Sequence, residues 1–324
     1  MKPPPLALVI GALNIDLIAR GLPRFAQPGQ QVNGESLELS AGGKGRNIAE
    51  MLAAWLAPGQ VGMVSKLPQD GRGLHHIPLQ SLVNARINTD GVLVDAARSG
   101  DAPTLALILN TAAGARAVYY FPGRNESLSP EELESVKPLF EGAAQQGGFL
   151  LLSLEMPVET ASYAIGMAHG LGLRVMLDPG GQPPDQAVDF SPLFQHPIFL
   201  LKPNAEEASR LTGLPISDYP SAGKAAEMLL AQDVSHLLIT HGGQGAYAFT
   251  PEESRHIPPP GLPTQPEAEA TGCGDQVLAV LCAEMLHGKV FFDACRTAVI
   301  AGSLQYTQAG RTPIPPGHPD LAGE

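Results

Sequence analysis

From residue 130 onward, the apolar positions of this chain fall into short unbroken runs alternating with longer stripes at helical spacing. A helix over 130–144 leads to a strand at 149–154, and a helix over 158–169 leads to a strand at 173–177. A strand at 198–201 precedes a helix at 205–211, and a helix over 221–231 leads to a strand at 237–240. Two helices near 274–286 and 291–308 close the series. Apolar runs of this kind, separated by helices, predict a parallel sheet covered by helices. Residues 6–10 belong to the same layer. They are wholly apolar, end at Gly11 and predict a buried central strand. Between 45 and 56, Ile48, Met51, Leu52 and Trp55 follow a helical period that stops at Pro58-Gly59. A strand at 61–64 and a helix over 74–87 follow.

The remaining N-terminal strands do not fit that layer. Those at 14–20 and 31–39 are separated by Pro23, Pro28 and Gly29, and look less buried. Those at 104–110 and 115–121 flank Thr111-Ala112-Ala113-Gly114, a hairpin signal. They predict a small second sheet, approximately 14–40 and 103–122, projecting from the main one as a lid. The Pro258-Pro259-Pro260 run reads as a connector, and 311–324 (Pro313, Pro315, Pro316, Pro319) as an irregular tail. The whole chain, 1–324, then reads as one α/β domain.

Composition narrows the function. With 44% hydrophobic and 16% charged residues, the 324-residue chain can bury a substantial core. A net charge of −12 argues against nucleic acid or an anionic membrane surface as partner. It does not exclude a nucleotide, because backbone dipoles build a local anion site. Cys273, Cys282 and Cys295 form no C-x-x-C or paired framework, which points to a reducing cytoplasm. Met1-Lys2-Pro3-Pro4-Pro5 lacks a signal peptide's apolar core, and no run is long enough to span a bilayer. The nine histidines, His75-His76 included, show no zinc-ligand spacing with the cysteines.

The chemistry gathers at strand ends and helix starts, where open parallel sheets bind ligands. In Glu269-Ala270-Thr271-Gly272-Cys273-Gly274-Asp275, an acid follows a small-residue turn at the start of an apolar helix. Unpaired N–H groups and the helix dipole favour an anion there. Asp275 can accept a proton from an attacking hydroxyl, or simply complement the dipole. Asn14 and Asp16 alternate with Leu13, Ile15 and Leu17, so both can face one ligand, and they suit a polyol. Ala41-Gly42-Gly43-Lys44-Gly45-Arg46-Asn47 combines a flexible turn with a mobile cation, but it matches neither a Walker A loop nor G-x-G-x-x-G. Glu155 ends an apolar strand. Asn204 and Glu207 fit a capping box, or waters around Mg²⁺. Thr240-His241-Gly242-Gly243-Gln244-Gly245 reads as a phosphate cradle, a hairpin, or both.

The ordered set, about residues 6–313, resembles the ribokinase (PfkB) family of carbohydrate and nucleoside kinases. Gly42-Gly43-Lys44-Gly45-x-Asn47 and Thr271-Gly272-x-Gly274-Asp275 match its two signature regions. Asn14, Asp16, Glu155, Asn204, Glu207 and Thr240-x-Gly242-x-x-Gly245 match its secondary motifs in order. The resemblance implies a Rossmann-like fold, with a mostly parallel sheet flanked by helices and a β-sheet lid over the sugar. It makes Asp275 the base and Gly272, Cys273 and Gly274 the anion hole. Asn14, Asp16, Gly43, Lys44, Asn47 and Glu155 then hold the acceptor. Lys202, Asn204, Thr240, Gly242 and Gly245 lie on ATP, and Glu207 serves Mg²⁺ through water. Kinases of this kind often carry at a monovalent-cation site an Asp where Glu269 stands here; Glu is one methylene longer, a departure that leaves K⁺ an open alternative. It also allows a homodimer through the lid.

The motif set favours an unphosphorylated ribose-like sugar. A nucleoside is the rival, because Gly45-Arg46-Asn47-Ile48-Ala49 and Leu201-Lys202-Pro203-Asn204 are also similar to pseudouridine kinases. A sugar phosphate fits less well, since no cationic cluster is evident around the acceptor motifs, although Arg20, Arg24 and Arg124 cannot be placed from sequence. Other classes are a catalytically silent sugar-binding regulator, which the intact Asp275 argues against, and a nicotinamide oxidoreductase, which lacks its third glycine at Val277.

Overall fold

The computed structural model describes residues 4–96, 103–123, 127–183, 186–262, 270–308 and 310–322. Its elements in chain order are β1 (Ala7–Ile10), β2 (Asn14–Leu22), β3 (Ser36–Gly42), α1 (Lys44–Ala53), β4 (Val61–Gln69), α2 (His76–Asn84), β5 (Asn88–Ala96), β6 (Leu105–Thr111) and β7 (Arg116–Phe121). There follow α3 (Pro130–Ser135), α4 (Lys137–Gln145), β8 (Phe149–Ser153), α5 (Val158–Gly170), β9 (Arg174–Asp178), β10 (Ile198–Leu201), α6 (Ala205–Thr212) and α7 (Tyr219–Leu230). The chain closes with β11 (Val234–Thr240), β12 (Ala246–Phe249), β13 (Ser254–Ile257), α8 (Cys273–Leu286) and α9 (Phe291–Tyr306).

Among the described residues, nine strands form one sheet in the order β13-β12-β11-β10-β9-β8-β1-β4-β5. From β5 to β11 all neighbours run parallel, and β12 and β13 add an antiparallel edge. Both faces are covered, which is why the central strands are apolar without alternation. Ala7 and Val9 of β1 pack with Ile48 and Leu52 of α1 and Leu278 of α8. Leu8 and Ile10 face the other way, into Phe140, Ile165 and their neighbours.

Four elements depart from the sequence expectation. The stretch predicted as one helix over 130–144 is two, α3 and α4, parted at Val136. Pro138 has no N–H for the Glu134 carbonyl and keeps Lys137 from continuing the preceding helix. The strands β5 and β13 went unanticipated; both are sheet edges, and the Ser, Arg and His of β13 carry no apolar rhythm. β3 starts at Ser36, later than the expected 31, because pairing with β2 rather than burial sets its extent.

The small sheet has the order β3-β2-β6-β7. Its two outer pairs are antiparallel, but β2 and β6 run parallel, because β4, α2 and β5 intervene between them. One face, with Ile18, Ala106 and Ile108, is buried. Residues 311–322 are irregular apart from a turn of 3₁₀ helix at Pro319–Ala322, yet they are anchored. Ile314 is buried; its N–H donates to Gln276 of α8 at 3.1 Å, and its carbonyl accepts from the Trp55 indole at 2.7 Å.

Candidate active site

The carboxyl ends of β1, β8, β9, β10 and β11 point to one side, and there they meet the N-termini of α1 and α8. Gly272 caps α8 with φ of +85°, a conformation that side chains disfavour, and the first intrahelical bond runs from Gln276 N–H to its carbonyl at 2.8 Å. The Cys273 N–H donates back to the Ala270 carbonyl at 3.4 Å, whereas those of Gly274 and Asp275 have no carbonyl behind them within the helix, the arrangement that suits an anion at a helix start. Cys273 is the first residue of α8 and half-buried, unlike the core thiols Cys282 and Cys295.

A ladder of alternating charges crosses this end. Asp275 is buried; Lys44 Nζ lies 2.9 Å from its Oδ1, and Asn47 Nδ2 donates to its Oδ2 at 2.8 Å. The same ammonium stands 3.3 Å from Asp178 Oδ2. Lys202 Nζ pairs with that oxygen at 2.7 Å and donates to the Gly274 carbonyl at 3.1 Å. Burial opposes the charge on Lys44, but Asp178, Asp275 and Glu207 outweigh it and hold its pKa well above the ordinary lysine range. Burial would likewise raise Asp178, but Lys202 and Lys44 draw it down to about 2. Sequence reasoning missed Asp178. Its signal was an acid closing the apolar strand before Pro179-Gly180, the same arrangement that singled out Glu155.

Glu155 fastens the glycine loop. Its Oε2 accepts N–H bonds from Ala12 at 3.2 Å, Lys44 at 2.8 Å and Gly45 at 3.2 Å, while Asn14 Nδ2 donates to Oε1 at 3.4 Å. Burial pushes its pKa up to about 7, against the pull of Lys44 and these N–H groups.

Asn14 and Asp16 are both buried on one face of β2. Asp16 forms an ion pair with Arg311 from the tail. Its carboxylate lies directly on the Gly42 Cα, where an added Cβ would stand 2.0 Å from Oδ1. Arg46 is buried nearby and bonded to Glu50 and Asn47. The expectation that no cationic cluster borders the acceptor motifs is therefore corrected: Arg46 and Arg311 do. Neither was legible as such, since Arg311 lies 295 positions from Asp16. Arg20 and Arg24 stay outside the cleft, on Glu38 and the Phe25 carbonyl.

On the other flank, Asn204 and Glu207 complete a reciprocal capping box at α6, both bonds at 2.8 Å. The capping reading is thus realised, and Glu207 Oε1 still faces Gly180 and Asp178. Burial and then Asp178 raise the Glu207 pKa. No group of three or more metal-ligating side chains gathers among the described residues, so a divalent cation beside Glu207 would keep a shell mostly of water. Thr240 bridges Asn204, and Gly242–Gln244 forms a 3₁₀ turn that Gly245 closes. A cavity of about 400 Å³ is lined by Asn204, Ser209, Thr240, His241 and Gly242. Arg116 of β7 bonds the Thr271 hydroxyl, tying the small sheet to the anion-site loop. Glu269 and Arg124 lie outside the described residues. The structure thus brings Asn14, Asp16, Gly43, Lys44, Asn47, Glu155, Lys202, Gly272, Gly274 and Asp275 to one cleft, with Asn204, Glu207, Thr240, Gly242 and Gly245 on its flank.

The model of the pfkB family of carbohydrate kinases matches residues 5–316, so the chain belongs to that family. It is a carbohydrate kinase. It is similar to the ribokinase of Haemophilus influenzae, 28% identical over 93% of this chain and 92% of the relative. The deoxyribokinase of Salmonella typhi is 28% identical over 77% of this chain and 76% of its own. In fold, the chain matches the Arabidopsis thaliana ribokinase structure complexed with ribose and ATP, with a TM-score of 0.82, 23% identity and coverage of 97% and 96%.

Proposed function

We propose that this kinase moves the γ-phosphate of ATP to the hydroxymethyl group of a ribose-like sugar, with Asp275 as general base. The observation that carries this reading is the buried Asp275 carboxylate, oriented by Lys44 and Asn47 beside the Gly272–Gly274 turn. Asp275 takes the hydroxyl proton as the sugar oxygen bonds to phosphorus. The bond from that phosphorus to the bridging oxygen of ADP breaks, and ADP leaves. Negative charge grows on the phosphoryl oxygens and on ADP, where the α8 N–H groups, Lys44 and Lys202 supply fixed positive potential. Positioning contributes most of the rate in such a reaction.

The acceptor side supports a neutral sugar. Arg46 is matched by Glu50 and Arg311 by Asp16, so neither guanidinium lacks a counter-charge. On the nucleotide side, Asn204, Thr240, Gly242 and Gly245 border the phosphates. Glu207 would hold Mg²⁺ through water, and the ion would supply shielding of the phosphate charges. The small sheet acts as a lid that excludes water from the acceptor, and its outward face pairs two copies of the chain.

ADP release measured over ribose, deoxyribose, fructose, pseudouridine, adenosine and hexose phosphates tests the reading. Ribose is expected to give the highest kcat/KM. A nucleoside or sugar phosphate ahead of it by a wide margin overturns the acceptor, and ATP binding without transfer to any of them overturns the kinase assignment in favour of a binding protein.

A further inference from the structure

We propose that Arg311 is a specificity-determining residue of the acceptor site, reading one sugar hydroxyl while Asp16 reads its neighbour. The inference rests on the sugar-kinase reading above and extends it to a residue outside every motif of the sequence. Three observations carry it. First, Arg311 is paired with the buried carboxylate that the acceptor must reach. Its side chain is 11% exposed, so it is part of the cleft wall and not a surface arginine. Second, it runs along the cleft from the reacting end to the far end. A Cβ on Gly272 of the anion site would stand 3.3 Å from its Cγ, yet its guanidinium reaches Asp16 on the small sheet. Third, it is preorganised. Ile314, three residues on, is locked between Gln276 of α8 and Trp55, so the strap carrying Arg311 is held by α8 and by the turn that follows α1.

The chemistry of the pair is complementary. A carboxylate only accepts, and a guanidinium only donates through a planar fork. Neighbouring hydroxyls each have both capacities. A diol therefore satisfies Asp16 with its hydrogens and Arg311 with its lone pairs, and the ion pair keeps both groups charged and oriented. A sugar lacking one of the two hydroxyls leaves a buried charged partner unsatisfied, which is the strongest form of discrimination a site can build.

The test compares ribose, 2-deoxyribose and 3-deoxyribose as acceptors for the parent, Arg311→Ala and Arg311→Lys. In the parent, both deoxy sugars are expected to be poorer than ribose. In Arg311→Ala, kcat/KM for ribose falls roughly 10–100-fold. Discrimination against one deoxy sugar disappears, discrimination against the other persists, and KM for ATP is unchanged. Arg311→Lys keeps the charge beside Asp16 without the fork, so it retains the fold and still loses the discrimination. Unchanged discrimination in both variants overturns the proposal, as does a lower ribose KM in Arg311→Ala, which makes Arg311 an obstruction. If the parent transfers phosphate to no sugar, the sugar-kinase reading fails and this inference fails with it. If the parent is active and only the variants disagree, the Arg311 role alone is lost.

Discussion

Lys44 Nζ lies 2.9 Å from Asp275 Oδ1, so the proposed base is held by a cation from the opposite helix. The contact joins the two signature loops, 231 residues apart, at one atom pair. Asp275→Asn preserves the shape and the bond to Asn47 but removes the proton acceptor. Turnover is expected to fall by about 10²–10⁴-fold, with ATP affinity retained by titration calorimetry. Parent-level turnover in the variant removes Asp275 from the base role.

Asp178 is fully buried between two ammonium groups. Asp178→Ala leaves Lys44 and Lys202 without their shared counter-charge, and removing one partner of a buried pair costs about 3–5 kcal/mol. Urea denaturation should register that loss. Adding Lys202→Met to Asp178→Asn is expected to restore part of the stability without restoring turnover. A fully stable Asp178→Ala would mean that water, not protein, balances the lysines.

Glu155 makes stability depend on pH. A carboxyl with a raised folded pKa favours the native state while protonated. That contribution is complete below its ordinary value of 4.5 and is lost as pH climbs through about 7. The melting temperature of the parent is therefore expected to decline between pH 5 and pH 8 more steeply than that of Glu155→Gln. Parallel melting curves across this range refute the burial argument. Asp178 acts in the opposite window: its stabilisation is present above its ordinary value of 3.8 and fades as pH falls through about 2.

Glu207→Gln separates the cap from the cation role. An amide oxygen can still accept the Asn204 N–H, so α6 should persist. A higher Mg²⁺ concentration for half-maximal ADP release is the expected result. An unchanged Mg²⁺ requirement would confine Glu207 to capping.

The outward face of the small sheet carries a continuous apolar row, Leu39–Leu17–Leu107–Tyr119, set by the pairing registers. Leu39 and Tyr119 are 46% and 55% exposed at its two ends. Apolar rows of this kind mark association surfaces. Leu39→Glu with Tyr119→Glu is expected to convert a dimer to a monomer in light scattering, and a monomeric parent contradicts the assignment.

Much of this architecture is legible in the chain because burial on both faces leaves unbroken apolar runs. β1, β8, β10 and α8 lie within a residue or two of where periodicity places them. The edges are less legible. β5 and β13 bury too little to show a rhythm, and β3 is defined by its hydrogen-bond partner. The cleft divides in the same way. Lys44, Glu155 and Asp275 sit in glycine- or strand-end contexts that announce themselves locally, whereas Arg46 looks like one more charged residue on a helix until the fold buries it.

Residue order by itself determined the layered sheet, the glycine-rich starts of α1 and α8, and the proposed base, since each depends on neighbours within a few positions. Only the tertiary structure decided that Asp178 bridges two lysines and that Arg311 meets Asp16. Those pairs join residues 24 to 295 positions apart, and no local rule links charges whose proximity is created by packing.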